Sequence, residues 1–217
     1  MLYTYKPKES TILCEIMERN KSDKGKKDLE NCWHNYTTLY HELFTNLRHN
    51  NIRMFELGLG TNNTNILSNM GSDGRPCASL YGWHEYFNNV TLFGADIDKD
   101  ILIENEKFKT FYCDQTNPID INNLWNNKEL LENFDIIIDD GLHSYDANVI
   151  FFENSIHKLK NNGLYIIEDI NILNINIFLN KIDEWKNKYK YLDFKLIKID
   201  SNKNNWDNNV LIINKLY

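Results

Sequence analysis

The sequence predicts an α/β protein. Its core is a doubly wound, mostly parallel, Rossmann-like sheet of seven strands, with an antiparallel C-terminal hairpin and a helical N-terminal cap. Three observations predict it. From residue 53 onward, short apolar runs alternate with amphipathic stretches of helical length. Four of the runs are apolar on both faces, as parallel strands covered by helices must be. Acidic residues recur where successive runs end: Glu56, Asp96, Asp114, the pair Asp139 and Asp140, then Glu168 and Asp169. In open α/β sheets that edge is where ligands bind.

Taken in order, "RMFELG" (53–58), "VTLFGADI" (90–97), "FKTFYCD" (108–114), "FDIIIDD" (134–140) and "GLYIIED" (163–169) read as strands. Helices are expected between them over 78–88, 119–131, 145–160 and 172–189. Two further strands, "FKLIKID" (194–200) and "NVLIINK" (209–215), are separated only by "SNKNNWDN". That spacing is too short for a helical crossover, so they pair as a hairpin. Residues 1–50 lack the alternation. "NYTTLYHELFTNLRHN" (35–50) reads as an amphipathic helix and "SDKGKKDLENC" (22–32) as a loop, so this segment is expected to cap the sheet or cover the site. Residues 51–217 form a single compact unit in this reading.

Bulk properties remove several classes of function. A chain of 217 residues is long enough to bury one real core, and its 42% apolar content is globular. The net charge of −7 argues against a nucleic-acid surface. No run of about 18 apolar residues occurs, and the N-terminus has no basic-then-apolar leader, so neither a membrane span nor secretion is expected. Cys14, Cys32, Cys77 and Cys113 are too scattered for a zinc site or a disulfide framework, which fits reduced thiols in a cytoplasm.

The strand ends carry the chemistry. Gly58 and Gly60, in "FELGLG", let backbone approach a ligand, although the full dinucleotide pattern G-x-G-x-x-G is absent. Asp96 is placed to accept both hydroxyls of a ribose; Asp98, past the apolar run, is expected to face solvent. Asp114 could accept from an adenine amino group, with Gln115 beside it. If the fourth and fifth runs pair directly, at about 4.8 Å, Asp140 lies beside Glu168 and Asp169. Three carboxylates so close need a cation, and oxygen ligands without cysteine suit Mg²⁺, Mn²⁺ or Ca²⁺. The alternative is that some of these acids cap the following helices, Asp139 above all. His143, in the loop over the same edge, can take a proton at neutral pH and is the candidate general base. His34 could also line the site.

The segments "FELGLG", "FGADID", "FYCDQ", "FDIIIDDGLH" and "GLYIIEDI" resemble the class I S-adenosylmethionine-dependent methyltransferases. The likeness is to the metal-dependent macrolide-sugar O-methyltransferases, whose domains are also called cephalosporin hydroxylase-like. It covers roughly residues 20 to 170, and "SDKG" with "HNYTTLY" belongs to it. Leu142 departs from it, standing where that family usually has a small residue. The resemblance implies S-adenosylmethionine as methyl donor, with Glu56, Gly58, Gly60, Asp96, Asp114, Gln115 and Asp139 on the cofactor side. It implies Mg²⁺, or Mn²⁺, on Asp140, Glu168 and Asp169, with His143 deprotonating the acceptor. The acceptor is then a sugar-containing small molecule: a nucleotide sugar, a polysaccharide precursor or a glycosylated natural product. Phosphoramidate or phenol acceptors are the alternatives, and a nicotinamide-dependent oxidoreductase is a more distant one. Relatives of this kind are often dimers or tetramers. The long irregular stretch 60–77 is expected to contribute to acceptor choice.

Overall fold

The seven expected strands all form, and an eighth joins them. The computed structural model describes residues 1–217. In chain order the elements are β1 (Leu2–Tyr5), α1 (Ile12–Arg19), α2 (Tyr36–Phe44), β2 (Asn51–Leu57), α3 (Ala78–Tyr86), β3 (Asn89–Asp96), β4 (Phe108–Tyr112), α4 (Pro118–Trp125), β5 (Phe134–Asp139), α5 (Tyr145–Ser155), β6 (Leu159–Ile167), α6 (Ile175–Lys188), β7 (Leu192–Ile199) and β8 (Asn209–Lys215). The strand order is β1-β7-β8-β6-β5-β2-β3-β4. Only β8 runs against its neighbours, pairing antiparallel with both β6 and β7. The hairpin inferred from the short 201–208 connection is therefore present.

The sheet reverses its winding direction between β2 and β5, which pair directly. A crevice opens at their carboxyl ends, the position at which doubly wound sheets place ligands. Alternate residues of the central strands serve opposite faces, as the two-residue period of a strand requires. Ile137 joins the apolar layer beneath α4, α5 and α6, while Ile136 and Ile138 join the layer beneath α1, α2 and α3.

Three expectations need correction. Residues 1–50 are not only a helical cap, because β1 extends the main sheet, parallel to β7. The helix expected over 145–160 ends as α5 at Ser155, and after a 3-10 turn β6 begins at Leu159. Asp139 does not cap α5; Ser144 does, its side chain accepting from the amide of Ala147 at 3.4 Å. No helix is long and apolar enough to cross a membrane. All four cysteines are free and buried.

Candidate active site

A cleft of about 610 Å³ lies over the carboxyl ends of β2–β6. One end is built by turns that follow β2, β3 and β4. Gly58 and Gly60 adopt left-handed φ values of 85° and 74°. A Cβ on Gly58 would run into the backbone carbonyl of Asp140, so glycine there lets two strand-end loops touch. Asp96 is buried; its Oδ2 accepts from the amide of Leu59 at 2.7 Å and its Oδ1 from the amide of Asp98 at 2.8 Å. Burial pushes its carboxyl up and those backbone donors pull it back, so the acid rigidly links the β2 and β3 loops while facing the cleft. Asp114 also lines the cleft, its Oδ1 accepting from Thr116 in a local turn. Asp98 is not solvated as expected. It is buried, accepts from the Thr61 hydroxyl and caps the short helix at Lys99–Ile101.

At the other end stand Asp140, His143 and Asp169. The ring Nε2 of His143 lies 3.1 Å from Asp140 Oδ1 and 3.1 Å from Asp169 Oδ2. Both His143 and Asp169 hold left-handed φ values, 56° and 52°, a conformation uncommon outside glycine that Asp and His tolerate better than most residues. Burial works against charge on the imidazole, but Asp169 and Asp140 outweigh it and raise its pKa to about 10. The two carboxylates therefore favour the charged form of the ring in this arrangement. Asp169 is raised to about 6, first by burial, with His143 and His34 acting against that rise. Tyr36 donates to Asp169 Oδ1 at 2.6 Å.

The acids are not left to repel one another. Lys24, 1% exposed, reaches in from the loop before α2. Its Nζ lies 2.5 Å from Asp140 Oδ2, 2.6 Å from Glu168 Oε2 and 3.2 Å from Glu56 Oε1. The last is an ion-pair contact without hydrogen-bond alignment. Burial opposes the charge on Lys24, yet Asp140, Glu168 and Glu56 raise its pKa well above the ordinary lysine value. Burial likewise resists ionisation of Asp140, but Lys24 and His143 hold its carboxyl far below the usual range. Sequence reasoning missed Lys24. The acid cluster itself was the available signal, since three buried carboxylates require a cation and lysine is one.

Four of the expected site residues are held by protein partners. Glu168 accepts from Lys24 on one oxygen and from the Tyr40 hydroxyl at 2.7 Å on the other, so Lys24 supplies the positive charge beside it in this arrangement. Glu56 is wholly buried between Lys24 and the Trp83 indole, which donates at 2.7 Å, and does not line the cleft. Asp139 is also wholly buried. It accepts from Gln115 Nε2 at 2.7 Å and from Asn148 Nδ2 at 3.1 Å, and burial lifts its pKa to about 7. Gln115 uses its other end to accept from the amide of Leu142 at 2.8 Å, so it braces the 140–143 loop. His34, expected as a lining residue, does line the cleft, with Nδ1 3.3 Å from Asp169 Oδ1.

For a hard divalent cation the donors that fit are Asp140 and Asp169, with the His143 ring nitrogen beside them. Their candidate ligand atoms all lie within 4.8 Å of one another.

The chain matches no profile of a known protein family. It is 31% identical over 158 residues to the 8-demethyl-8-(2-methoxy-alpha-L-rhamnosyl)-tetracenomycin-C 3'-O-methyltransferase of Streptomyces olivaceus, covering 73% of this chain and 36% of that protein. It is 28% identical over 137 residues to the demethylmacrocin O-methyltransferase of Streptomyces fradiae, covering 63% of this chain and 32% of that one. The chain thus spans about a third of the length of the curated relatives it matches. Among solved structures, the MycE methyltransferase from the mycinamycin biosynthetic pathway, in complex with Mg and SAH, superposes with a TM-score of 0.70 at 20% identity. That match covers 96% of this chain and 55% of MycE. The O-methyltransferase TomG from Streptomyces achromogenes gives 0.59 at 11% identity, covering 97% of this chain and 92% of that one. At these identities the structural matches speak for the fold. A sequence relationship of 158 residues, carried on the same sheet, makes this chain a member of the class I S-adenosylmethionine-dependent methyltransferases.

Proposed function

We propose that the chain is an O-methyltransferase that moves a methyl group from S-adenosylmethionine to a hydroxyl of a sugar-containing small molecule, with Mg²⁺ or Mn²⁺ bound beside the acceptor. One observation carries this reading. A single cleft is lined at one end by Gly58, Gly60, Asp96 and Asp114, groups suited to a nucleoside, and at the other by a carboxylate–imidazole cluster. Its volume suits a ligand of cofactor size plus part of an acceptor.

Asp96 would take the ribose hydroxyls on the lone pairs its backbone bonds leave free, and Asp114 the adenine amino group. Asp140 and Asp169 would hold the divalent cation, which when bound lowers the acceptor hydroxyl's pKa and offsets the field that keeps His143 protonated. His143 Nε2 would receive the hydroxyl proton while the acceptor oxygen attacks the methyl carbon in line, S-adenosylhomocysteine being the leaving group. Gln115 and Asp139 keep the 140–143 loop in register, so that base and donor stay aligned, and alignment supplies a large part of the rate.

The test is calorimetry with S-adenosylhomocysteine, with NADH as control, followed by methyl-transfer assays on glycosides with and without Mg²⁺. Micromolar binding of the homocysteine compound and metal-dependent transfer support the proposal. Preference for NADH would reopen the oxidoreductase alternative.

A further inference from the structure

His34 and Asp207 come from opposite ends of the chain and meet at Asp169, with Trp33 beside His34 in the same cleft. We infer that they form a saccharide-binding subsite beside His143, suited to an uncharged or amine-bearing ring and unsuited to a phosphate-bearing one. The inference rests on the methyl-transfer reading above and adds which residues hold the acceptor and which acceptors they refuse.

The polar atoms are fixed. His34 is 7% exposed, and its ring packs 4.8 Å from that of Tyr36. Its Nδ1 faces Asp169 Oδ1 at 3.3 Å and Asn204 Nδ2 at 3.5 Å, while no protein group bonds Nε2. Asn204 also donates to Asp207 Oδ1 at 2.6 Å, leaving the other Asp207 oxygen without a protein partner. The Asn204 amide cannot be flipped, because its oxygen accepts from the amides of Trp206 and Asp207 at 3.0 and 3.2 Å. An N–H donor therefore stands between His34 and Asp207, which disfavours a metal ion there and leaves one imidazole nitrogen and one carboxylate oxygen for a ligand.

The apolar part is Trp33. Its indole is 55% exposed, lines the same cleft and meets the His34 ring edge-on, with centroids 6.4 Å apart. A flat aromatic face beside a fixed carboxylate and imidazole matches a sugar ring, whose C–H face is apolar and whose rim carries hydroxyls. Asp169 joins the subsite to the base: one oxygen faces His34 and the other lies 3.1 Å from His143 Nε2. A ring over Trp33 would share the cleft with His143, which Asp169 links to His34.

Charge decides between acceptors. Asp23, Asp140, Asp169 and Asp207 all line the cleft, and no arginine does. Lys24 is fully engaged by carboxylates. A diphosphate linker would have only the divalent ion on Asp140 and Asp169 to receive it, with no forked cation and with Asp23 and Asp207 repelling it, whereas a neutral or amino sugar meets no such repulsion.

The experiment uses protein saturated with S-adenosylhomocysteine and Mg²⁺. Methyl glycosides of rhamnose, glucose and a dimethylamino sugar are titrated by saturation-transfer NMR, with UDP-glucose as the phosphate-bearing probe. At least one glycoside should bind, and Trp33→Ala and Asp207→Asn should each weaken it about tenfold. Trp33→Phe should recover most of the loss, and S-adenosylhomocysteine affinity should stay within about twofold of wild type. Glycoside binding unchanged in both variants overturns the subsite. So does the absence of any glycoside signal up to about 50 mM, or tighter binding of UDP-glucose than of every glycoside. If S-adenosylhomocysteine itself fails to bind, the methyl-transfer reading falls, and the glycoside arm is then judged alone on the same variants.

Discussion

The two ends of the cleft are built by different means. At the donor end, Asp96 and Asp114 are held by backbone amides a few residues away or one loop across, as in Asp96 to Leu59 and Asp114 to Thr116. At the acid end, Asp140 and Glu168 are held by Lys24, which lies 116 and 144 positions away in the chain. The donor end is thus a product of strand order and turn chemistry alone. The acid end needs the N-terminal segment docked, and it concentrates charge that only long-range pairing makes tolerable.

The largest expected effect comes from breaking that pairing. Lys24→Met leaves Asp140, Glu168 and Glu56 without their shared cation and should cost about 3–5 kcal/mol of stability, read by urea unfolding. Its pH dependence has a definite sign. Without Lys24, burial and neighbouring acids prevail on Glu168 and Glu56, opposed at Glu56 by the Ser79 hydrogen bond, which raises their folded pKa values further above the unfolded ones. Acids raised in this way favour the native state when protonated, so their contribution is present at low pH and is lost as pH rises. The variant should therefore be closest to wild type near pH 5 and fall furthest behind near pH 8. Equal loss at both values would mean that the destabilisation is one of packing.

What could be read in the sequence divides along the same line. The β7–β8 hairpin followed from eight intervening residues, and the crevice from the acids at successive strand ends, because both are local patterns. Strand β1 gave no such signal: four residues on a sheet edge, mostly exposed, have neither alternation nor length. Glu56 and Glu168 looked like ligands because position was legible and direction was not. Their direction is set by Lys24, Tyr40 and Trp83, whose approach depends on tertiary docking of the N-terminal helices and α3. Beside Glu168 the chain supplies a cation of its own, Lys24.

Next in size is the base. His143→Ala should lower turnover by about 10²–10⁴-fold with S-adenosylhomocysteine affinity unchanged, because the imidazole touches the acid end and not the donor loops. A variant that keeps full turnover would require another proton acceptor, and His34 is the nearest alternative. At the donor end, Asp96→Asn should weaken S-adenosylhomocysteine by about 1–3 kcal/mol in calorimetry, since a buried acceptor is lost together with its loop bonds. Asp114→Asn should cost less, about 0.5–1.5 kcal/mol, its carboxylate being partly exposed and held only in a local turn. The reverse ranking would move the anchoring of the nucleoside from β3 to β4.

The smallest effect tests which end owns the irregular stretch after Gly60. That stretch touches both. The Met70 side chain packs against Gly60 on the donor side, while the Ser68 hydroxyl donates at 2.9 Å to the carbonyl of Leu142, beside His143. Ser68→Ala removes one exposed hydrogen bond, worth about 0.5 kcal/mol, so thermal stability should hardly move. If the stretch serves the acid end, the change should appear as a rise of about two- to threefold in acceptor KM, with donor affinity constant. A shift in S-adenosylhomocysteine binding instead would assign the stretch to the donor end, with Met70 as its working contact.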